Sequence, residues 1–196
     1  IPQGHVTALD KTAHFVDTAR GRFVADGNVA LLRAVNVGGT GKLPMAELKA
    51  MCVAEGFEDV QTYIASGNLV LRSDLAGEAV AEGLEAMLLA RTGAVVPVLV
   101  RSVEEMTPLA QSTPFGDRDG AQVGVMFYKD VVPDAQFEKL RGHVDELIQP
   151  QGREAVVFYP SGMGRAKLVL PEAATGTMRN LNTVRKLAAM GQAFGV

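Results

Sequence analysis

The stretch from Val29 to Ser73 constrains this chain most. It reads VALLRAVNVGGTGKLPMAELKAMCVAEGFEDVQTYIASGNLVLRS. Val29 to Val37 is apolar at both parities, the pattern of a strand covered by helices on one face and partly covered on the other. Arg33 and Asn36 are its polar side chains. They differ in parity, so a regular strand points them to opposite faces. Gly38, Gly39 and Gly41 then permit a tight turn. Pro44 suits the first helical position, where no N–H is needed. Met45, Leu48, Met51 and Cys52 form one helical stripe, which Gly56 and Phe57 end. Val60–Ala65 and Leu69–Arg72 read as short strands around Ser66-Gly67-Asn68, a hairpin whose Gly or Asn supplies positive φ.

The order continues in a way that names a topology. Asp74 caps a second helix carrying Val80, Leu84, Met87, Leu88 and Arg91 at helical spacing, and Gly93 ends it. Val95–Val100 is a β-branched run containing Pro97. Proline cannot donate to a central ladder, so this strand belongs at an edge. The resulting β-α-β-β-α-β order is the split βαβ, or ferredoxin-like, pattern with an antiparallel sheet, and its last strand lies at an edge. Ser102 and Glu105 form a capping box, which predicts a short helix to about Gln111. The segment Ser112–Gly120 reads as a linker.

The second half repeats that order more weakly. Gln122–Tyr128 reads as a strand. Phe137, Leu140, Val144, Leu147 and Ile148 fall at helical spacing after Pro133-Asp134. Glu154–Tyr159 and Arg165–Leu170 read as strands, and Val184, Leu187 and Ala188 mark a last helix with no evident closing strand. The fold expected is therefore α+β, with two ferredoxin-like units on antiparallel sheets, the second incomplete. The divisions are 1–22 as an extension, 23–111 as the first unit with its short helix, 112–120 as linker and 121–196 as the second unit. Residues Ile1–Arg22 show no sustained period and begin with Ile, and they are left out of the fold argument.

Composition narrows the function. The 196 residues are 47% hydrophobic and 21% charged, an ordinary globular balance. A net charge of −3 gives no global attraction to nucleic acid or anionic membrane. The single cysteine, Cys52, cannot form an internal disulfide and reads as a small buried hydrophobe. This fits a cytoplasmic location. No apolar run reaches the length of a membrane span, and no Asp/Glu/His cluster has metal-ligand spacing. Neither metal nor other cofactor is expected.

Several motifs resemble a known family. Leu-Leu-Arg33-Ala-Val-Asn36-Val-Gly38-Gly39, Lys42-Leu-Pro44-Met45-Ala-Glu47-Leu48 and Thr62-Tyr63-Ile64-Ala-Ser66-Gly67-Asn68 are similar to the bacterial domain-of-unknown-function family numbered 1697. So are Tyr159-Pro160-Ser-Gly162, Lys167-Leu168 and Thr177-Met-Arg179-Asn180-Leu-Asn182-Thr183-Val184. The likeness runs from about Val29 to Met190. It departs where the family pattern usually has Gly-Ile and this chain has Ala34-Val35, and where it often has Ser at Ala166 and Trp at Leu181. The resemblance implies a ferredoxin-like α+β fold and an uncharacterised protein. It carries no catalytic residues.

The candidate chemistry is anion binding. A P-loop is excluded, because Asn36 stands where its first Gly belongs and Leu43 where the Mg²⁺-binding hydroxyl belongs. What remains is a Gly-rich turn before a helix, with Lys42 adding positive charge, a combination suited to a phosphate or carboxylate. The plainer reading is a tight turn with a solvated lysine. Thr177–Lys186 offers a similar setting, where Asn180 or Thr177 caps a helix amid Arg179, Arg185 and Lys186. The candidate ligand-binding set is thus Arg33, Asn36, Gly38, Gly39, Lys42, Ser66, Asn68, Lys167, Arg179, Asn180 and Thr183. Ser66 lacks a base, since His143, the one histidine outside Ile1–Arg22, sits on an expected helix in the other half. A non-catalytic interaction or self-association module is the alternative function. Nucleic-acid binding ranks third, because Leu69–Arg72 and Arg165–Leu170 carry no stacking aromatics and Phe127, Tyr128, Phe158 and Tyr159 alternate in facing.

Overall fold

The computed structural model describes residues 26–36 and 43–195. The expected extension Ile1–Arg22 and the candidates Gly38, Gly39 and Lys42 lie outside the described residues. The described chain is α+β, with two four-stranded sheets and two compact units, 1–100 and 101–196.

In the first unit, strand β1 (Asp26–Leu32) is followed by helix α1 (Met45–Ala54), strands β2 (Glu58–Tyr63) and β3 (Asn68–Ser73), helix α2 (Gly77–Thr92) and strand β4 (Val98–Ser102), whose last two residues, Arg101 and Ser102, belong to the second unit. The sheet order is β2-β3-β1-β4, and β3 pairs antiparallel with both β1 and β2. This is the split βαβ arrangement, and β4 takes an edge as Pro97 requires. Pro44 directly precedes α1, and its carbonyl accepts from Leu48 N at 3.0 Å. Alternate residues Ala30 and Leu32 of β1 and Leu69 and Leu71 of β3 point to the core face. Leu48 and Cys52 of α1, with Val80, Leu84 and Leu88 of α2, close over them. Each such leucine contributes roughly 1.5–3 kcal/mol by leaving water. Val29, Leu31 and Val70 have the opposite parity and are buried as well, which explains the unbroken apolar run of β1.

The hairpin between β2 and β3 sets the geometry of its surroundings. Tyr63 pairs with Asn68, which leaves Ile64–Gly67 as the turn. Asn68 is fully buried, and its amide donates to Tyr63 O at 2.9 Å and Ser66 Oγ at 3.1 Å. Gly67 lies at φ +78° with its carbonyl 2.8 Å from Leu32 N. A Cβ there would stand 2.9 Å from Leu32 Cβ and 2.5 Å from Val35 Cγ1. Both the dihedral and the close approach demand glycine.

In the second unit, helix α3 (Val103–Gln111) opens on the expected capping box: Ser102 Oγ accepts from Glu105 N, and Glu105 accepts from Ser102 N. Strands β5 (Val123–Phe127), β6 (Leu147–Gln151), β7 (Glu154–Phe158) and β8 (Thr177–Asn180) follow, then helix α4 (Leu181–Gln192). The order β6-β7-β5-β8 repeats the first sheet's arrangement. Helix α4 packs on α3 and β5, covering one face. Met126, Tyr128, Ala155, Val157 and Tyr159 make the opposite face, where Val132, Leu170, Leu140 and Leu168 cover them from two long loops.

Three expectations for this half fail. The helix expected over Phe137–Ile148 is instead a single 3-10 turn, Asp134–Phe137, followed by irregular chain and β6. Phe137, Leu140 and Ile148 do pack on the core, but Val144 is 82% exposed, so no continuous stripe is buried. Gly142 at φ +71° would place a Cβ 2.0 Å from Lys167 O, a backbone approach that a helix there would not make. The strand expected over Arg165–Leu170 is mostly irregular and touches Arg141 through one bridge at Val169. The sheet is closed by Thr177–Asn180, whose sequence presents it only as the approach to the last helix. Its side chains are too polar to show strand alternation. The second unit is thus a sheet of ferredoxin-like strand order with only a 3-10 turn in each crossover, Asp134–Phe137 between β5 and β6 and Met163–Arg165 between β7 and β8.

Two glycine substitutions separate conformational strain from crowding. Gly67→Ala is expected to destabilise the protein by about 2–5 kcal/mol through left-handed strain and overpacking. Gly93→Ala, at φ +69° with nothing within 4 Å of the added carbon, is expected to cost only about 1 kcal/mol. Urea unfolding followed by circular dichroism measures both.

Candidate functional site

The segment that follows β1 is held by one side chain. Asn36 Oδ1 accepts from Leu43 N at 2.9 Å, and its amide donates to Leu43 O at 3.1 Å and Ala65 O at 2.9 Å. The first two bonds imitate a backbone pair and join the two ends of the Gly-rich stretch. The third fixes that junction to the β2–β3 turn. Each bond contributes about 0.5–1.5 kcal/mol net. Asn36 therefore acts as a clamp at the root of the Gly-rich segment, with its amide engaged by the backbone.

Beside this clamp lies a cavity of about 300 Å³ walled by Arg33, Val35, Leu43, Arg91, Thr92 and Pro97 among others. Arg33 comes from the end of β1, and its backbone N donates to Pro97 O at 2.9 Å. Arg91 comes from the last turn of α2, where a cation complements the helix dipole. Its Nε donates to Glu47 of α1, and the Glu47 carboxylate raises the Arg91 pKa. The pair is about half exposed, so it contributes little stability and mainly sets the direction of the guanidinium. Among the described residues, neither terminal nitrogen of Arg91 donates to a protein acceptor. Ala34 also lines the cavity, is exposed and sits at φ +54°. Glycine, usual at this place in the family pattern, adopts that conformation without a penalty.

The remaining candidates have defined places. Ser66 is exposed and accepts from Asn68, as the hairpin geometry requires. Asn180 caps α4, its Oδ1 accepting from Thr183 N at 2.8 Å, and Thr183 is buried. Arg179 is buried on β8, with Nη1 2.7 Å from Thr177 Oγ1 and 2.9 Å from Met178 O. Burial lowers its pKa to about 10, so it keeps its charge at neutral pH. Lys167 is exposed, and its carbonyl packs against Gly142. Asn36, Ser66 and Asn68 thus gather around one turn of the first unit, and Arg179, Asn180 and Thr183 around one strand–helix junction of the second.

Other groups show why no reaction can be read here. Burial pushes the Cys52 thiol up to about 12, which leaves it protonated and unreactive at neutral pH. His143 is exposed, with Nε2 2.8 Å from Glu146 O. The Val144 amide, 2.8 Å from Glu146 Oε2, holds the Glu146 carboxyl below its ordinary range. Phe127, Tyr128 and Tyr159 are buried, which leaves them unavailable for stacking on bases. Among the described residues there is no group of three metal-ligating side chains and no helix long and apolar enough to cross a membrane.

Sequence reasoning missed two charged centres. One is Arg91, which reads only as a helix-terminal cation; nothing in the sequence connects it with Arg33, far upstream. The other is Arg101, 2% exposed, whose Nε lies 2.6 Å from Glu154 Oε1. Its Nη2 donates to Tyr128 O at 2.6 Å and Arg153 O at 3.2 Å, and the guanidinium stands over the Phe127 ring. This is a buried structural junction between strand ends. Its only sequence signal is an arginine closing an apolar strand.

The family model described as "Protein of unknown function (DUF1697)" matches residues 26–157. The chain belongs to the DUF1697 family. The solved structure of conserved bacterial protein SP0830 from Streptococcus pneumoniae is similar to this DUF1697 chain, with 25% identity and a TM-score of 0.72. The similarity covers 86% of this chain and 99% of that one. No curated protein matches.

Two stability measurements test these assignments. Ala34→Gly is expected to stabilise the protein by about 0.5–1 kcal/mol, since the left-handed penalty exceeds glycine's added unfolded-state entropy. Arg101→Ala is expected to cost about 3–5 kcal/mol by leaving Glu154 without its buried partner. Thermal and urea unfolding of each variant supply the comparison.

Proposed function

We propose that the first unit binds a small anionic ligand, phosphate or carboxylate, in the cavity at the root of the Gly-rich segment. One observation carries the reading: Arg33 and Arg91, distant in sequence, line the same cavity of about 300 Å³. Guanidinium groups recognise such anions through paired N–H donors, and a partly enclosed wall strengthens the attraction relative to open water. The Asn36 clamp supports the reading because it fixes the segment bearing Arg33 relative to Leu43, which also lines the cavity. The bare strained position of Ala34 is in keeping with a backbone shaped around a site.

The test is thermal unfolding of the purified chain against nucleotides, sugar phosphates, inorganic phosphate and carboxylates. A ligand at about 100 times its dissociation constant is expected to stabilise the folded state by roughly 2.7 kcal/mol. Arg33→Met and Arg91→Met are expected to abolish the shift while retaining the native far-ultraviolet spectrum. Shifts that persist in both variants, or no shift with any anion, would reject this site.

A further inference from the structure

We propose that the loop Ser112–Gly120 of the second unit carries an aromatic docking site for a cationic peptide segment, one bearing arginine or lysine. The loop is held at several points. Arg185 of α4 donates from Nη2 to Gly116 O at 2.7 Å and from Nε to Ala110 O at 3.3 Å, and Leu181 N donates to Gly120 O at 3.1 Å. Within the loop, Gly116 N donates to Thr113 O at 3.1 Å, which closes a turn with Pro114 second and Phe115 third. Phe115 lies at φ +59°. A positive φ in the third place of a proline turn ordinarily goes to glycine or asparagine, and a bulky residue there is strained. Such strain persists where the surroundings make use of the conformation. Here the Phe115 ring centre lies 6.1 Å from that of Phe158 on β7, with the planes tilted by 33°. Both residues are partly exposed, and Leu147, paired with Phe158 across β6 and β7, is 49% exposed.

What already lies on the site sets its chemistry. The Arg118 guanidinium stands 5.4 Å from the centre of the Phe158 ring. An aromatic face attracts a cation through its quadrupole, so the ring already takes a guanidinium from within the protein. That occupant is held loosely. The Arg118 side chain is 55% exposed, and its ion pair with Asp117 spans 3.8 Å, a contact that solvent makes weak. An incoming cation can replace it at small cost. The charges favour such a partner over an anion. Asp117 and Asp119 flank Arg118 along the loop, and all three are exposed. Asp145, two residues before Leu147, is exposed as well and accepts from Ser161 Oγ at 2.8 Å. These three carboxylates outnumber Arg118 and Arg185, and like charge discriminates against an acidic peptide or a phosphate backbone. The site is therefore separate in place and in sign from the anion cavity of the first unit.

Fluorescence anisotropy with the full chain at physiological ionic strength tests the proposal. The probe is a labelled Gly-Ser peptide with spaced arginines. The same peptide with glutamate in place of arginine, and a labelled single-stranded oligouridylate, are the comparisons. Only the arginine peptide is expected to bind. Phe158→Leu, which keeps an apolar side chain on β7, should weaken it about fivefold, the order of a cation–π contact. Phe115→Asn, a residue that tolerates the left-handed φ, should weaken it similarly while the far-ultraviolet spectrum stays native. Arg118→Gln should strengthen binding by vacating the ring. That gain should vanish when Arg118→Gln is combined with Phe158→Leu, which separates an effect at the ring from a general change in charge. Binding unchanged by both phenylalanine substitutions would overturn the proposal. So would equal binding of the glutamate peptide or the oligonucleotide, an Arg118→Gln gain that is absent or survives in the double variant, or no binding of the arginine peptide.

Discussion

The first unit depends on how closely the hairpin turn approaches the end of β1. Gly67 delivers its carbonyl to Leu32 N because no side chain separates the two backbones. That contact brings Ala65 within reach of the Asn36 amide, which in turn holds Leu43. Leu43 is buried and leads into α1, whose Leu48 and Cys52 complete the core over β1 and β3. A single missing Cβ thus determines where β1 stops, where the Gly-rich segment is anchored and how α1 begins. Substitution there affects both the fold and the neighbouring cavity, because they share these atoms.

Two arginine–glutamate pairs illustrate opposite uses of the same chemistry. Arg101 is removed from water and surrounded by Glu154, two carbonyl oxygens and an aromatic face. Its charge is compensated within the protein, so it fixes structure and offers nothing outward. Arg91 sits in a half-exposed pair held through Nε alone. Solvent screening makes that pair weak as a stabilising contact. Its value lies in orienting a group that still has donors to offer. Burial therefore decides which of the two belongs to the scaffold.

Much of the first unit was legible because short-range rules and tertiary packing agree there. The Ser66-Gly67-Asn68 turn, the left-handed Gly93 and the edge placement forced by Pro97 each follow from backbone chemistry. The capping box at Ser102 and Glu105 was equally readable because its partners lie within one helical turn. The second unit defeated periodicity for specific reasons. Phe137, Leu140, Val144, Leu147 and Ile148 fit a helical stripe by spacing, yet they serve a loop and an edge strand. Thr177–Asn180 is a strand made by pairing with β5 rather than by its own apolar pattern. The residues of the proposed anion site divide similarly. Asn36 and Asn68 stand in visible motifs, whereas the proximity of Arg33 to Arg91 arises only when β1 and α2 pack.

The position of β8 has a consequence for the order in which the protein can take shape. Strand β5 lies between β7 and β8, and the two long loops separate it from the latter along the chain. During synthesis, β5 can meet β7 while its other edge still lacks a partner. That edge waits until Thr177–Asn180 has left the ribosome, and α4, which covers β5, is made later still. The first unit carries the same delay, because β1 lies between β3 and β4 and its second edge waits for Val98–Ser102. Non-local pairing of this kind slows folding and prolongs exposure of strand edges. In each half the second edge of the central first strand is consequently what a nascent chain would need to protect from association for longest.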